Sequence, residues 1–299
     1  MKTLIIQNPY SSRWTSKKRT GEMLDALMSV GLEFDHVQTN GPDHAIEIAA
    51  NAVKDGYEAI IAAGGDGTIG EVVNGIMQGS KSGNRPIFGI MPLGTANDLV
   101  NNLKQPVDVY EMAKIIAAGK TKMIDVCQVN DRYFLNNAGL GLEPYTTTIQ
   151  EKIKRIHGTL RYLIAVVISI IKNPKWNMKL TWDDGEYEGP VTLVSVSNGP
   201  VTGGLFYTVP SADLFDGKLS FVYGYIKTRF EIFKVLPKMM KSGEGNYTDH
   251  PSVHEVHCTN LKVQIKPTTP AHTDGELFDR AISEVEYNIY PSDLPIFVE

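Results

Sequence analysis

The sequence predicts an α/β domain followed by a β-rich one. Two observations carry this. Strand-length and helix-length patterns alternate through the first 125 residues, and after Asp125 the pattern changes to short segments of period-2 alternation separated by turn signals. A βαβαβα order implies a mostly parallel sheet covered on both faces, the doubly wound arrangement.

The elements follow in order. Thr3–Asn8 is a short apolar strand, and Lys17–Val30 is helical, with Thr15 and Ser16 as caps and Gly31 as its stop. Glu33–Gln38 reads as a strand. Asp43 is placed to cap a helix over His44–Asp55, which Gly56 ends. Ala59–Ala63 is a short buried strand, Ile69–Met77 a helix, Ile87–Met91 a strand and Tyr110–Ala118 a helix. Beyond Asp125, strands are expected at Val191–Ser197, Leu219–Tyr223, Val253–Cys258, Leu261–Lys266 and Val285–Tyr290. Asn130-Asp131, Asp183-Asp184-Gly185 and Asp216-Gly217 supply turns between strands. Helices interrupt at Thr148–Lys172 and Thr228–Met240. The apolar tail Leu294–Val298 is positioned to return to the first domain. The division expected is residues 1–125 as one domain, with 291–299 returning to it, and 126–290 as the other.

Composition narrows the function. At 42% hydrophobic and 21% charged residues, the 299-residue chain is that of a soluble globular protein. A net charge of −5 gives no global field to recruit nucleic acid or anionic lipid, so only a local basic patch can do so. Cys127 and Cys258 have no CxxC or CxxH spacing and read as reduced core residues. The opening MKTLIIQNPY lacks the apolar core of a signal peptide. The longest nearly apolar run, Leu163–Ile171, is about half of a membrane span. The expected location is cytoplasmic.

Three loops carry the chemistry. In Gly64-Gly65-Asp66-Gly67-Thr68 a strand runs through glycines into a helix, the arrangement that presents backbone N–H groups and a positive dipole end to an anion. It is neither a Walker A loop nor GxGxxG. Asp66 would repel bare phosphate, so it either faces a metal or metal-bound water or caps a helix. A second strand ends in Pro92-Leu93-Gly94-Thr95-Ala96-Asn97-Asp98, and a third segment, Asn8-Pro9-Tyr10-Ser11-Ser12, follows the first strand. Loops at the carboxyl ends of strands in one open sheet share a rim, where such sheets bind ligands.

GGDGTIGEVVNG with PLGTANDL resembles the catalytic domain shared by diacylglycerol kinases, sphingosine kinases and bacterial lipid kinases. NPYSS resembles the family's NPxSG segment, and DLFDGKL and TDGELF match its two marks in the second domain, which in the family is a β-sandwich. The resemblance implies an ATP-dependent transfer of the γ-phosphoryl group to a lipid hydroxyl, with Mg²⁺. It implies a nucleotide site at Asn8, Pro9, Tyr10, Ser11, Ser12, Thr39, Gly64, Gly65, Asp66, Gly67, Thr68, Ile69, Gly70 and Thr95, with Asp66 and Asp98 linked through water to the metal region. Asp213, Asp216 and Lys218 match positions that hold a structural Mg²⁺, partly through carbonyls. Asp274 matches the general base and Glu276 its neighbour. Ser12 departs from the pattern, standing where the family has Gly. Taken locally, Asp274-Gly275 is an ordinary hairpin turn and the Asp213–Leu219 stretch a strand-entry turn.

The expected substrate is a lipid alcohol, diacylglycerol giving phosphatidic acid, met by transient docking at a membrane surface. Lys152, Lys154, Arg155 and Arg161 at the start of a helix are the expected contacts with anionic head groups, and Ile164, Val167, Ile168 and Ile171 flank an acyl chain or else pack on the β-domain. Phe206 and Tyr207 line the same cleft or belong to the core. No nucleic-acid partner is expected, and a homodimer is compatible with the sequence. Two other readings stand beside this one: an NAD kinase-like phosphotransferase, which shares GGDGT, and a nucleotide-binding regulator without catalysis.

Overall fold

The computed structural model describes residues 1–154, 156 and 158–299, except for the side chains at positions 13–15, 158 and 159. The first part alternates as the pattern requires. Strand β1 (Thr3–Gln7) leads through helices α1 (Ser11–Lys18) and α2 (Thr20–Ser29) to β2 (Asp35–Gln38). Helix α3 (His44–Lys54), β3 (Ala59–Gly64), α4 (Asp66–Gly79), β4 (Ile87–Pro92), α5 (Asp98–Asn102) and α6 (Val109–Ala118) follow. The strands pair in parallel in the order β2-β1-β3-β4, and β1 and β3 are buried along their whole length. That order reverses direction between β1 and β3. The crevice beyond the carboxyl ends of those two strands is therefore the topological switch point, where ligands bind in open sheets.

The second part is antiparallel. It comprises β5 (Thr121–Val129), β6 (Arg132–Phe134), β7 (Asn137–Gly141), α7 (Leu142–Lys152), α8 (Gly158–Lys172), β8 (Trp176–Trp182), β9 (Gly185–Val191) and β10 (Leu193–Ser197). After these come β11 (Val201–Thr202), β12 (Phe206–Tyr207), β13 (Leu219–Gly224), α9 (Arg229–Val235), β14 (Val253–Cys258), β15 (Asn260–Thr269), β16 (Ala271–Thr273), β17 (Glu276–Leu277) and β18 (Ile282–Phe297). One sheet runs β14-β13-β10-β7-β16-β17. The other continues the parallel sheet through β18 as β4-β18-β15-β8-β9, with β5 also on β18. The two faces enclose a sandwich core of residues such as Leu140, Val194, Phe221, Val263 and Tyr287. This is the α/β plus β-sandwich fold class that the sequence predicts.

Strand β18 is the hinge of the architecture. Its first half pairs antiparallel with β15, and Ile296 pairs parallel with Phe88 of β4. A buried ion pair at 2.6 Å between Arg85, just before β4, and Asp293 fixes that end of the strand.

Several local expectations change. The helix predicted over Thr148–Lys172 is two helices, because the chain leaves helical geometry at Ile153. Of the basic residues predicted there, Lys152 and Lys154 are exposed beside this break, while Arg155 lies outside the described residues. Lys17–Val30 is likewise divided between α1 and α2 at Arg19, with Ser16 buried inside α1 rather than capping it. Asp43 does not cap α3: its φ is +61° and its side chain makes no cap bond. Glu71 of α4 accepts the Ala45 N–H instead, at 3.0 Å, so a neighbouring helix supplies the cap. Val191–Ser197 is two strands that part at Thr192, and Thr228–Met240 tightens from α to 3₁₀ geometry at Leu236-Pro237. Cys127 and Cys258 are buried and unpaired, as expected.

Candidate active site

The three loops meet at the switch point. Asn8 N–H donates to the Ala63 carbonyl at 3.0 Å, and Leu93 N–H donates to the Gly64 carbonyl at 3.0 Å, so the segments after β1 and β4 are both tied to the end of β3. Contact between the β3 and β4 loops is close: a Cβ on Gly94 would stand 2.6 Å from the Gly65 Cα. Asp66 answers part of its own puzzle. Its carboxylate turns into the neighbouring loop and accepts the Asp98 N–H at 2.8 Å, capping α5 rather than its own helix. The start of α4 has no side-chain cap.

Ser12 holds a backbone conformation that suits glycine. Its φ is +49°, the left-handed region that glycine adopts freely and other residues occupy at a cost. Its hydroxyl donates to the Leu93 carbonyl at 3.1 Å and lies 3.1 Å from Thr95 Oγ1, joining the first and third loops.

The second part delivers acids onto this rim. The β16–β17 hairpin carries Asp274 at its tip with φ +47°. Its carboxylate accepts from the backbone N–H groups of Leu135 (3.3 Å), Asn136 (3.1 Å) and Asn137 (3.0 Å), the strand entering β7. Burial pushes this carboxyl up to about 7, against the opposing pull of those three amides. Asp274 Oδ2 is 3.7 Å from where a Cβ on Gly70 would be, and Glu276 Oε1 is 2.5 Å from the corresponding point on Gly67. The acid pair of TDGE thus lies against the first two turns of α4, Glu276 closely over Gly67 and Asp274 in ordinary contact distance of Gly70. Glu276 is also raised to about 7, by burial first and then by the Glu71 charge, while Arg132 opposes. The surface that Glu276 keeps open to water softens that shift.

Asp98 is buried at the junction. Its oxygens accept the N–H groups of Gly203 and Gly204, both at 2.6 Å. Burial and the nearby Asp66 charge hold it at about 7, and Asp66 itself is raised by burial. Between α4 and the hairpin lies a narrow cleft walled by Gly67, Gly70, Arg132, Tyr133, Asp274 and Glu276 among others.

Buried polar atoms without a partner mark the rim: Ser11 Oγ, Thr39 Oγ1, Thr68 Oγ1 and Asn97 Oδ1. Such atoms are costly unless a bound polar group satisfies them, and four of them ring the glycine loop. Asp213, Asp216 and Lys218 lie elsewhere. Asp213 and Asp216 are exposed and close turns on the N–H groups of Phe215 and Lys218. Below them the buried Asp125 accepts from Gly217 at 2.7 Å and from Ser292 at 2.6 Å, fixing this turn to β5 and β18. The oxygens there suit a hard cation in kind. Among the described residues, however, no three acidic, imidazole or thiol side chains converge to hold a metal.

Sequence reasoning missed the asparagines that join the two parts. Asn74 of α4 donates to the Tyr133 carbonyl at 2.7 Å and accepts its N–H at 2.9 Å, and Asn102 makes the same two-way bond with Val201. The signal was present in GEVVNG: an asparagine in an apolar helix face needs a buried partner.

Comparison with known proteins places the chain in a family. A family described as diacylglycerol kinase catalytic domain matches residues 2–129, and one described as YegS C-terminal NAD kinase beta sandwich-like domain matches residues 137–298. The chain belongs to the diacylglycerol kinase catalytic-domain family. A protein named diacylglycerol kinase from Staphylococcus saprophyticus is 30% identical over 273 residues, which is 91% of this chain and 88% of that protein. One of the same name from Bacillus subtilis is 29% identical over 274 residues, again 91% and 88%. The fold is shared with a diacylglycerol kinase crystal structure from Bacillus anthracis at a TM-score of 0.77 and 23% identity, covering 100% of this chain and 97% of that one. The switch-point rim, with its glycine loop and TDGE hairpin, is the candidate active site of this chain.

Proposed function

We propose that this protein is an ATP-dependent lipid kinase that phosphorylates the free hydroxyl of diacylglycerol, giving phosphatidic acid. The observation that carries the reading is the meeting of Asp274 and Glu276 with the glycine start of α4. A base from one part of the chain there faces a phosphate-type cradle from the other. Residues 1–125 act as the nucleotide unit and 126–290 as the substrate unit, with 291–299 as the strand end that joins them.

The nucleotide enters with its own Mg²⁺. Its phosphates take the uncapped N–H groups at the start of α4 and the unpartnered hydroxyls of Ser11, Thr39 and Thr68. Asn8, Pro9, Tyr10, Ser12, Ile69 and Thr95 shape the same rim, with Gly64 and Gly65 giving the backbone room to approach. Asp66 and Asp98 lock the two loops together. The lipid oxygen attacks the γ-phosphorus in line, the bond to the ADP oxygen breaks, and the hydroxyl proton passes to Asp274. A carboxylate held at about 7 is matched to that task near neutral pH, because it is a stronger base than an ordinary aspartate yet still ionised in good part. Glu276 stands beside the start of α4, over Gly67, and faces the phosphate end of the site. If the Asp213–Lys218 turn holds a structural cation, its carbonyls and outward carboxylate oxygens would bind it. No step of the transfer runs through it.

Support for a lipid substrate comes from a small apolar pocket lined by residues such as Leu142, Val166, Ile170, Val235 and Tyr247. Leu142 walls it, and the next residue, Glu143, accepts from Asn137 Nδ2 at 3.0 Å; the Asn137 amide in turn holds Asp274. The test is ATP consumption with diacylglycerol in micelles, with NAD, and with no acceptor. Turnover specific to diacylglycerol is expected. Turnover with NAD would favour the NAD kinase-like reading, and ATP binding without turnover on any acceptor would favour the silent regulator.

A further inference from the structure

The outer faces of α8 and α9 have no role in the chemistry above. Helix α8 buries Val166, Ser169 and Ile170 against the second part of the chain, but Leu160, Leu163, Val167 and Ile171 are exposed. Those four recur at spacings of three and four, one stripe along the helix. Helix α9 and its 3₁₀ extension do the same, with Ile232 and Val235 inside and Phe230, Phe233 and Met240 outside. Phe230 is 68% exposed, a large cost for a phenylalanine that has no use. The two helices pack on each other and their inner faces wall one apolar cavity, so the exposed stripes share that side of the molecule.

Charge singles out the partner. The segment from Lys227 to Lys241 carries Lys227, Arg229, Lys234, Lys238 and Lys241, all exposed, against one acid, Glu231, which is held in its own capping box with Thr228. Lys234 lies 4.4 Å above the Phe230 ring. Lys172 adds a cation at the end of the α8 stripe. This is a strongly basic rim on a chain whose net charge is −5. A second copy of the chain would bring this rim against itself across a two-fold axis, so like charges would meet. A surface that is apolar within and negatively charged at its boundary complements both features at once.

We propose that the α8–α9 face is a docking surface for anionic lipid bilayers, with Phe230, Phe233 and the α8 stripe entering the head-group boundary and the lysines pairing with phosphates. The face sits directly over the apolar cavity, so docking would set the cavity roof against the source of its ligand. The choice of a bilayer as partner rests on the lipid-kinase reading; the exposure and charge do not. The docking region shifts accordingly from the basic start of the predicted Thr148–Lys172 helix to a two-helix face centred on α9.

Flotation with vesicles of phosphatidylglycerol and phosphatidylcholine tests this without nucleotide. The parent is expected to float with phosphatidylglycerol vesicles, less with phosphatidylcholine alone, and less as salt rises. Phe230→Gln with Phe233→Gln should lower the partition by about tenfold or more at every salt concentration. Lys234, Lys238 and Lys241, all changed to Gln, should lower it by about a hundredfold at low salt and far less at high salt. Lys114→Gln with Lys179→Gln, remote from the face, should leave it unchanged. The lysine set reads the face even if the aromatic pair unfolds. Flotation of both sets like the parent overturns the proposal. So does a loss of dimer mass in lipid-free sedimentation on changing Phe230 and Phe233, which would make the face an interface between copies. Turnover of a soluble short-chain diacylglycerol separates the two readings. Normal turnover with unaltered flotation in the variants sinks docking alone, and absent turnover by a parent that floats sinks the kinase reading alone.

Discussion

At the scale of single residues, Ser12 and Asp274 are both held at positive φ by hydrogen bonds that repay the strain. Ser12→Ala removes the bonds to Leu93 and Thr95 and keeps the strained backbone, whereas Ser12→Gly removes the same bonds and the strain together. We expect Ser12→Gly to be more stable than Ser12→Ala by about 1 kcal/mol, measured by denaturant unfolding. Equal stabilities would mean that the left-handed conformation costs nothing here. For Asp274→Asn, the amide oxygen can still accept from Asn136 and Asn137, but its NH₂ would face the Leu135 N–H. That loss is offset in part by relief of a buried charge, so the fold should persist. Phosphoryl transfer should fall by roughly two to four orders of magnitude while ATP binding survives. In the parent, kcat/KM should rise with pH and level off above about 7, because Asp274 must give up its proton to act as base. Asp98 and Glu276 titrate in the same range, so the limb is assigned to Asp274 only if Asp274→Asn removes it. A flat profile between about pH 5.5 and 8 would remove a raised carboxylate from the rate-limiting chemistry.

At the scale of elements, the two rim loops work as one because they touch through glycines. An added Cβ on Gly94 meets the Gly65 Cα and Asn97 Oδ1, both at 2.6 Å, whereas one on Gly65 meets the Gly94 Cα at 3.3 Å. Gly94→Ala must push the loops apart, and Gly65→Ala asks for a few tenths of an ångström. Calorimetry should therefore show ATP affinity reduced by about tenfold or more in Gly94→Ala and much less in Gly65→Ala, with both folded. The reverse order would place the nucleotide away from this contact. Sequence made these loops readable, since glycines at strand-to-helix junctions report on backbone geometry that is local. It could not show that Asp66 caps α5 or that Glu71 caps α3, because both partners come from another element and local propensity is silent about them. The break after Lys152 had a signal that was passed over: Gly158, a poor helix former, stands where the second helix begins.

At the scale of the molecule, the α/β start and β-rich continuation were legible because strand and helix periods are written in side-chain pattern. Both ends of β18 were legible too, as a strand at Val285–Tyr290 and a tail returning to the first domain, but their continuity was not, since Pro291 and Pro295 punctuate the strand and contacts that fix it lie more than two hundred residues away, as with Arg85 and Asp293. What the fold assembles around β18 is a rim with several carboxyls short of counter-charge, and this sets the response of the whole protein to pH. Asp98 and Asp274, both raised from 3.8 to about 7, bind protons more tightly folded than unfolded. Between those values the native state holds more protons than the unfolded chain, so stability falls as pH rises. The stabilisation from a protonated Asp98 is fully present below about pH 4 and is lost as pH climbs through about 7. For the buried Asp98 the ceiling is about 4 kcal/mol, and its coupling to Asp66 makes the true figure smaller. The nucleotide-free protein should thus melt several degrees higher at about pH 6 than at about pH 8. Asp98→Asn, which stays neutral at both, should narrow that gap. A melting temperature that instead rises from about pH 6 to 8 in the parent would mean that these acids are ionised at little cost, and that the rim is balanced by a charge not yet accounted for.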